Sequence, residues 1–160
     1  MTKSLAEISD DMKQIDFCTL ATHAPNGTIG ARPMSNNREV DFSGDAWFFT
    51  YEDRQMVSDI ERDANVAMTY LGSAGLKGIL GAPGQFIHVE GKATIVRDKA
   101  RFAEHWDASL DRWFPQGIDT PGAVMLEVSA TRIHYWDGND EGEVTLQDRA
   151  TDSNVWTEGP

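Results

Sequence analysis

The chain has 160 residues, with 26 acidic against 14 basic side chains, a net charge of −12 and 40 % hydrophobic content. This balance excludes nucleic acid and anionic membrane surfaces as partners, since both require an excess of Lys and Arg, and no apolar run approaches the roughly 20 residues of a membrane span. The length suits one domain with a proper core. The single Cys18 excludes an internal disulfide framework, and the N-terminus has no apolar leader, so a cytoplasmic location is expected.

Leu5, Ile8, Met12 and Ile15 recur at spacings of three and four, which predicts an amphipathic helix over 4–15. "FCTLATHA" reads as a strand, and Pro25-Asn26-Gly27 is a hairpin signal. A second strand runs from Thr28 to about Val40, interrupted at Pro33. After the turn "DFSGD", the strand "AWFFTY" leads into a short helix, with Met56, Val57, Ile60 and Ala64 on one face and Asp53 as its N-cap. "NVAMTYLG" is another strand. Gly recurs at every third position from Gly72 to Gly84, too few triplets for collagen, and reads as a mobile loop. No Gly-Lys-Ser/Thr closes the run, so it is no Walker loop.

"QFIHVEGKATIV" alternates as a strand should, and Phe102, Trp106, Leu110 and Trp113 stripe a third helix over 98–113. "AVMLEVSATRIHYWDG" supplies the last strands. From Asn139 the chain is acidic and polar, and poor order is expected there unless a partner pins it. The domain is therefore taken as 1–138, with a tail over 139–160. The expected fold is mainly β: a six-stranded antiparallel barrel with flanking helices.

The four histidines show no pair at metal-ligand spacing, so no metal is expected. Cys18 has no base beside it and reads as a small buried hydrophobe. No G-x-S-x-G turn is present for an acyl-transfer nucleophile. Arg32 and Arg54 carry the chemistry. Arg32 precedes a Pro, which forces an extended backbone and places the segment on a sheet edge or at a bulge. Arg54 falls just before a helix start, where unpaired amides favour an anion. Two guanidiniums so placed suit a phosphate; the plainer alternative is a pair of surface ion pairs.

"GARPMSNN…DAWFFTYEDRQMVSDIERDANVAMTYLG", then "FIHVEGKATIVRD", "RWFPQG" and "IHYWDG", resemble the pyridoxamine 5′-phosphate oxidase-like split barrels that bind FMN, and within them the general stress protein 26 group. The resemblance spans residues 5–138. It implies that Arg32 contacts the flavin or its phosphate, and that the backbone around Pro33 and Met34 addresses the ring edge. Phe49 and Thr50 would touch the ribityl chain or ring. It also implies a homodimer with two flavins at the subunit interface, where Trp113 either forms the partner's wall or packs in the core. A small-molecule redox partner is implied as well.

Three departures stand out. Arg54, Gln55 and Met56 occupy positions where the family carries Ser, a basic or small residue, and the phosphate-binding Lys. Arg54, with Gln55, must therefore hold the phosphate in place of that Lys. The 72–84 loop is longer than the family norm and could lid the site. Oxidases of the family follow an "FWQG"-like strand with Arg-Leu-His to bind substrate, whereas here "YWDG" is followed after a longer gap by Thr145-Leu146-Gln147. The named oxidase reaction is therefore not expected. The expectation is an FMN-binding flavoprotein and, if it is an enzyme, an FMN-dependent oxidoreductase, with no catalytic side chain named. Its alternatives are a non-enzymatic flavin-binding stress protein, or a relative that takes a deazaflavin, haem or no cofactor.

Overall fold

The computed structural model describes residues 2–73, 75, 79–81 and 84–146. It opens with helix α1, Leu5–Met12, whose start is fixed by a reciprocal cap. The Glu7 amide donates to Ser4 Oγ at 3.2 Å, and the Ser4 amide donates to the Glu7 carboxylate at 2.8 Å. Strand β1, Phe17–His23, turns through Pro25–Gly27, where Asn26 and Gly27 take positive φ, into β2, Ile29–Ser35. Strand β3 is Asp45–Tyr51, helix α2 Gln55–Arg62, and strand β4 Asn65–Gly72. Then follow β5, Gln85–Val96, helix α3, Lys99–His105, and β6, Ala123–Asp137. Strand β7, Asp140–Thr145, ends the described chain.

The strands form one antiparallel sheet in the order β2-β1-β4-β5-β6-β3, with β7 added to β6. β2 and β3 are thus the two edges of the six-strand path, and Pro33 lies on an edge, where its missing donor leaves no gap in a central ladder. Leu20, Met68, Val89, Leu126 and Ile133 are wholly buried in the core, joined by Ile8 and Met12 of α1. A second, smaller cluster, with Phe102 and Met125 at its centre, packs α3 against the sheet, and Trp47 and Phe49 join it. Cys18 is a buried free thiol, and burial pushes it up to about 11, so it stays unreactive near neutral pH.

β6 is long because it serves two partners in turn. Residues 123–129 pair with β3, and 132–137 pair with β7. The register against β5 shifts at Glu90/Gly91, and Thr131 is the extra residue on β6. That bulge bends β5 and β6 where the sheet curls and splits.

Four expectations need correction. The second strand, expected from Thr28 to about Val40 with a break at Pro33, is Ile29–Ser35 and pairs with β1 without interruption through Pro33. The helix expected over 98–113 stops at His105. Trp106 is extended, and Asp107 caps a separate 3-10 turn, Ala108–Arg112, by accepting from the Ser109 amide at 2.7 Å. The N-cap of α2 is Arg54 rather than Asp53, and no side chain bonds to the freed amides. Residues 140–145 of the expected tail form β7, held by the ladder to β6 and by the cross-strand pairs Arg132–Glu143 and His134–Glu141. Residues 147–160 lie outside the described residues, as do 74, 76–78 and 82–83 of the Gly-rich loop. Among the described residues, no helix is long and apolar enough to cross a membrane.

Candidate functional site

Arg32 projects from β2 and lies over β1. Its Nη1 donates to Thr22 Oγ1 at 2.8 Å and to the Leu20 carbonyl at 3.3 Å. Gly30 permits this pose, because a Cβ there would stand 2.8 Å from Arg32 Nη2. The same guanidinium sits 4.0 Å from Asp59 on α2. Desolvation pushes Arg32 below its ordinary value while Asp59 opposes the shift, and it remains a cation.

Asp59 was not foreseen, and it organises the site. Its side chain has no solvent exposure. It accepts from Gln55 Nε2 at 2.9 Å, Thr22 Oγ1 at 3.0 Å and Arg62 Nη2 at 3.2 Å. Burial works against the charge, but these three bonds prevail and hold the carboxyl below its ordinary 3.8. A carboxylate beside Met56, Val57 and Ile60 on the apolar face of a short helix was the available signal.

Asp59 draws together Arg32 and Gln55, the first residue of α2. Arg54 stands at that N-terminus with its side chain 63 % exposed; its nearest partners are Asp53 at 4.0 Å and the Tyr51 ring at 6.0 Å. There is no side-chain cap and no acid in the first turn. An uncapped helix start beside an accessible guanidinium is an arrangement that favours a phosphate-like anion. Met56 is buried in the core and cannot reach that anion.

The remaining sequence-derived residues divide by face. Pro33 is exposed on the outer edge, while Met34 joins the core. Thr50 is buried. The Phe49 ring is half-buried in an aromatic cluster, 4.8 Å from Trp106 and 5.7 Å from Phe102. Trp113 is 61 % exposed, with the Arg112 guanidinium 5.1 Å from its ring, which excludes the core-packing alternative.

A profile of the family described as "Pyridoxamine 5'-phosphate oxidase like" matches residues 3–157, and the chain belongs to that family. Its fold is similar to that of a Clostridium acetobutylicum protein related to general stress protein 26, with a TM-score of 0.74 and 17 % identity over 89 % of this chain and 94 % of that one. General stress protein 26 from Bacillus anthracis aligns with a TM-score of 0.66 and 24 % identity over 89 % and 98 %. A haem-binding protein from Mycobacterium smegmatis gives 0.69 and 15 % over 91 % and 59 %. These likenesses describe the fold, which is the split barrel. A comparison with curated proteins finds no match.

Proposed function

We propose that this member of the pyridoxamine 5′-phosphate oxidase-like family is an FMN-binding flavoprotein that works as a homodimer and does not oxidise pyridoxamine phosphate. The carrying observation is the uncapped start of α2 with Arg54 exposed at its N-cap, while Arg32 is drawn to Asp59 of the same helix. Arg54 and the first amides of α2 would hold the phosphate. Arg32 lends positive potential, and the free edge of β2 around Pro33 offers backbone groups to the ring. Gln55 serves indirectly, by orienting Asp59. When bound, the flavin supplies the redox chemistry, and the protein supplies binding and electrostatics. No general acid or base is assigned.

Visible absorption after FMN addition and washing tests this reading, since the flavin bands should stay with the protein. Arg54→Ala should weaken FMN binding by about 1.5–3 kcal/mol, the range for a charge-assisted bond. An unchanged dissociation constant removes Arg54 from the phosphate site. One observation favours a second reading, with a deazaflavin, haem or no cofactor: buried Met56 stands where the family's Lys would be. A colourless protein that retains no FMN would bring that reading forward.

The dimer reading rests on the outer face of the sheet. Leu71, Phe86 and Trp136 are register partners across β4, β5 and β6, and they are 63 %, 40 % and 36 % exposed. Such a contiguous apolar row on an acidic protein suits a second copy. Trp113 is assigned to the wall that one subunit offers the other's flavin. In size-exclusion chromatography with light scattering, the wild type should run as a dimer and Phe86→Glu as a monomer. A monomeric wild type would sink this reading.

A further inference from the structure

Beyond the Arg32–Arg54 site, a cavity of about 390 Å³ opens between α1, the 36–42 segment, the start of β3 and the end of α3. Along the chain its lining neighbours the proposed cofactor residues. Met34 leads into Asn36 and Asn37 on one side, and Trp47 and Phe48 precede Phe49 on the other.

Its surface combines two chemistries. Phe42, Phe48 and Tyr70 are buried aromatic wall, and Trp47 and Trp106 are half-buried beside them. Trp47 is held by stacking on His105, with ring centres 3.9 Å apart and planes at 14°. Carboxylates complete the lining, from Glu39, Asp41, Asp45, Glu104 and Asp107. The one lysine of the cavity, Lys13, is already paired with Asp41.

Aromatic faces attract organic cations through their quadrupoles. Carboxylates around a recess with low-dielectric walls add a focused negative potential. The same potential repels phosphate esters, dinucleotides and carboxylic acids, so the lining discriminates by charge as well as by shape. This is the opposite of what a phosphorylated substrate would require.

We propose that this cavity is the substrate site and takes a planar aromatic molecule carrying a positive charge, of the aryl-alkylammonium class. Its role as a substrate site rests on the flavin reading above; the binding preference does not.

The test is calorimetric titration of the full-length protein, with and without FMN, using tryptamine and indole-3-acetate, which share a ring and carry opposite charges. Tryptamine should bind saturably and about tenfold more tightly than indole-3-acetate at low salt, and the advantage should shrink as salt rises. The double variant Glu39→Gln/Glu104→Gln changes two exposed side chains, so folding is preserved; it should lower tryptamine affinity about tenfold. Trp47→Leu should lower it as well. Equal affinities, a preference for the anion, no saturable tryptamine binding, or indifference to the cavity variants would each overturn the proposal. A protein that retains no FMN yet shows the tryptamine preference and the variant responses keeps the cavity assignment and loses only the flavin reading.

Discussion

Replacing Asp59 with Ala should lower stability by about 3 kcal/mol and the midpoint of thermal unfolding by roughly 10 °C. The carboxylate is wholly buried, and three donors from two elements converge on it: Thr22 of β1, and Gln55 and Arg62 of α2. Truncation leaves the Thr22 hydroxyl buried without its acceptor and Arg32 without its nearest negative charge. The loss is larger than for a surface ion pair because those donors cannot all turn to water. Arg62 is 47 % exposed and can resolvate, which keeps the effect below that of a fully buried pair. Asp59→Asn should cost less, about 1–2 kcal/mol, since one carbonyl oxygen still accepts.

The same site predicts an acid response. The folded carboxyl titrates below its ordinary 3.8, so the unfolded chain takes up the proton first as pH falls. The contribution is therefore complete above the unfolded value and disappears as pH drops through the lower, folded one. Glu7, Glu52, Asp63, Asp107 and Glu143 are shifted the same way, so the whole protein should lose stability in acid. Urea unfolding at a series of pH values from 7 to 3 should show a shallower acid slope for Asp59→Asn than for the wild type. Identical slopes would mean that Asp59 is not the depressed carboxylate described here.

Gly91→Ala should cost about 2–4 kcal/mol, through overpacking where nothing can yield. A Cβ on Gly91 would stand 2.6 Å from the Ser129 carbonyl oxygen, a backbone atom of the paired strand. The contact lies at the register shift where β6 passes from β3 to β7, so relief would require moving the ladder that curls the sheet. The contrast is Gly30→Ala. There the obstructing atom is the end of the Arg32 side chain, which can swing away, so stability should change little while Arg32 loses its pose. Chemical denaturation of the two variants decides it. A Gly91→Ala protein as stable as wild type would show that the bulge is softer than its geometry implies.

Much of this fold is legible along the chain. The periodicities of β1, β4 and β5 and the Pro25-Asn26-Gly27 turn each concern residues a few positions apart, which is the range over which strand and turn geometry act. Pro33 marks β2 as an edge because the missing amide is a local fact. Elements were missed where local polarity and tertiary contact disagree. The third helix breaks because Asp107 bonds the backbone two residues on, and Trp106 turns to donate from Nε1 to Asp111 at 3.0 Å and to join the rings of Phe49 and Phe114. "DEGEVT" is acidic and contains Gly, so by sequence it resembles a tail, yet ladder bonds and basic partners on β6 secure it as β7.

For the candidate site, the sequence by itself determined where the guanidiniums stand: Arg32 on an irregular edge and Arg54 before a helix. It also determined that no Lys follows at position 56. Tertiary structure alone decided what those residues touch. Asp59 meets Thr22 across 37 positions, and Trp47 stacks on His105 across 58, pairings that no local period encodes. Burial, hydrogen bonding and enclosed electrostatic potential belong to the packed chain, because they exist only once distant segments exclude water together.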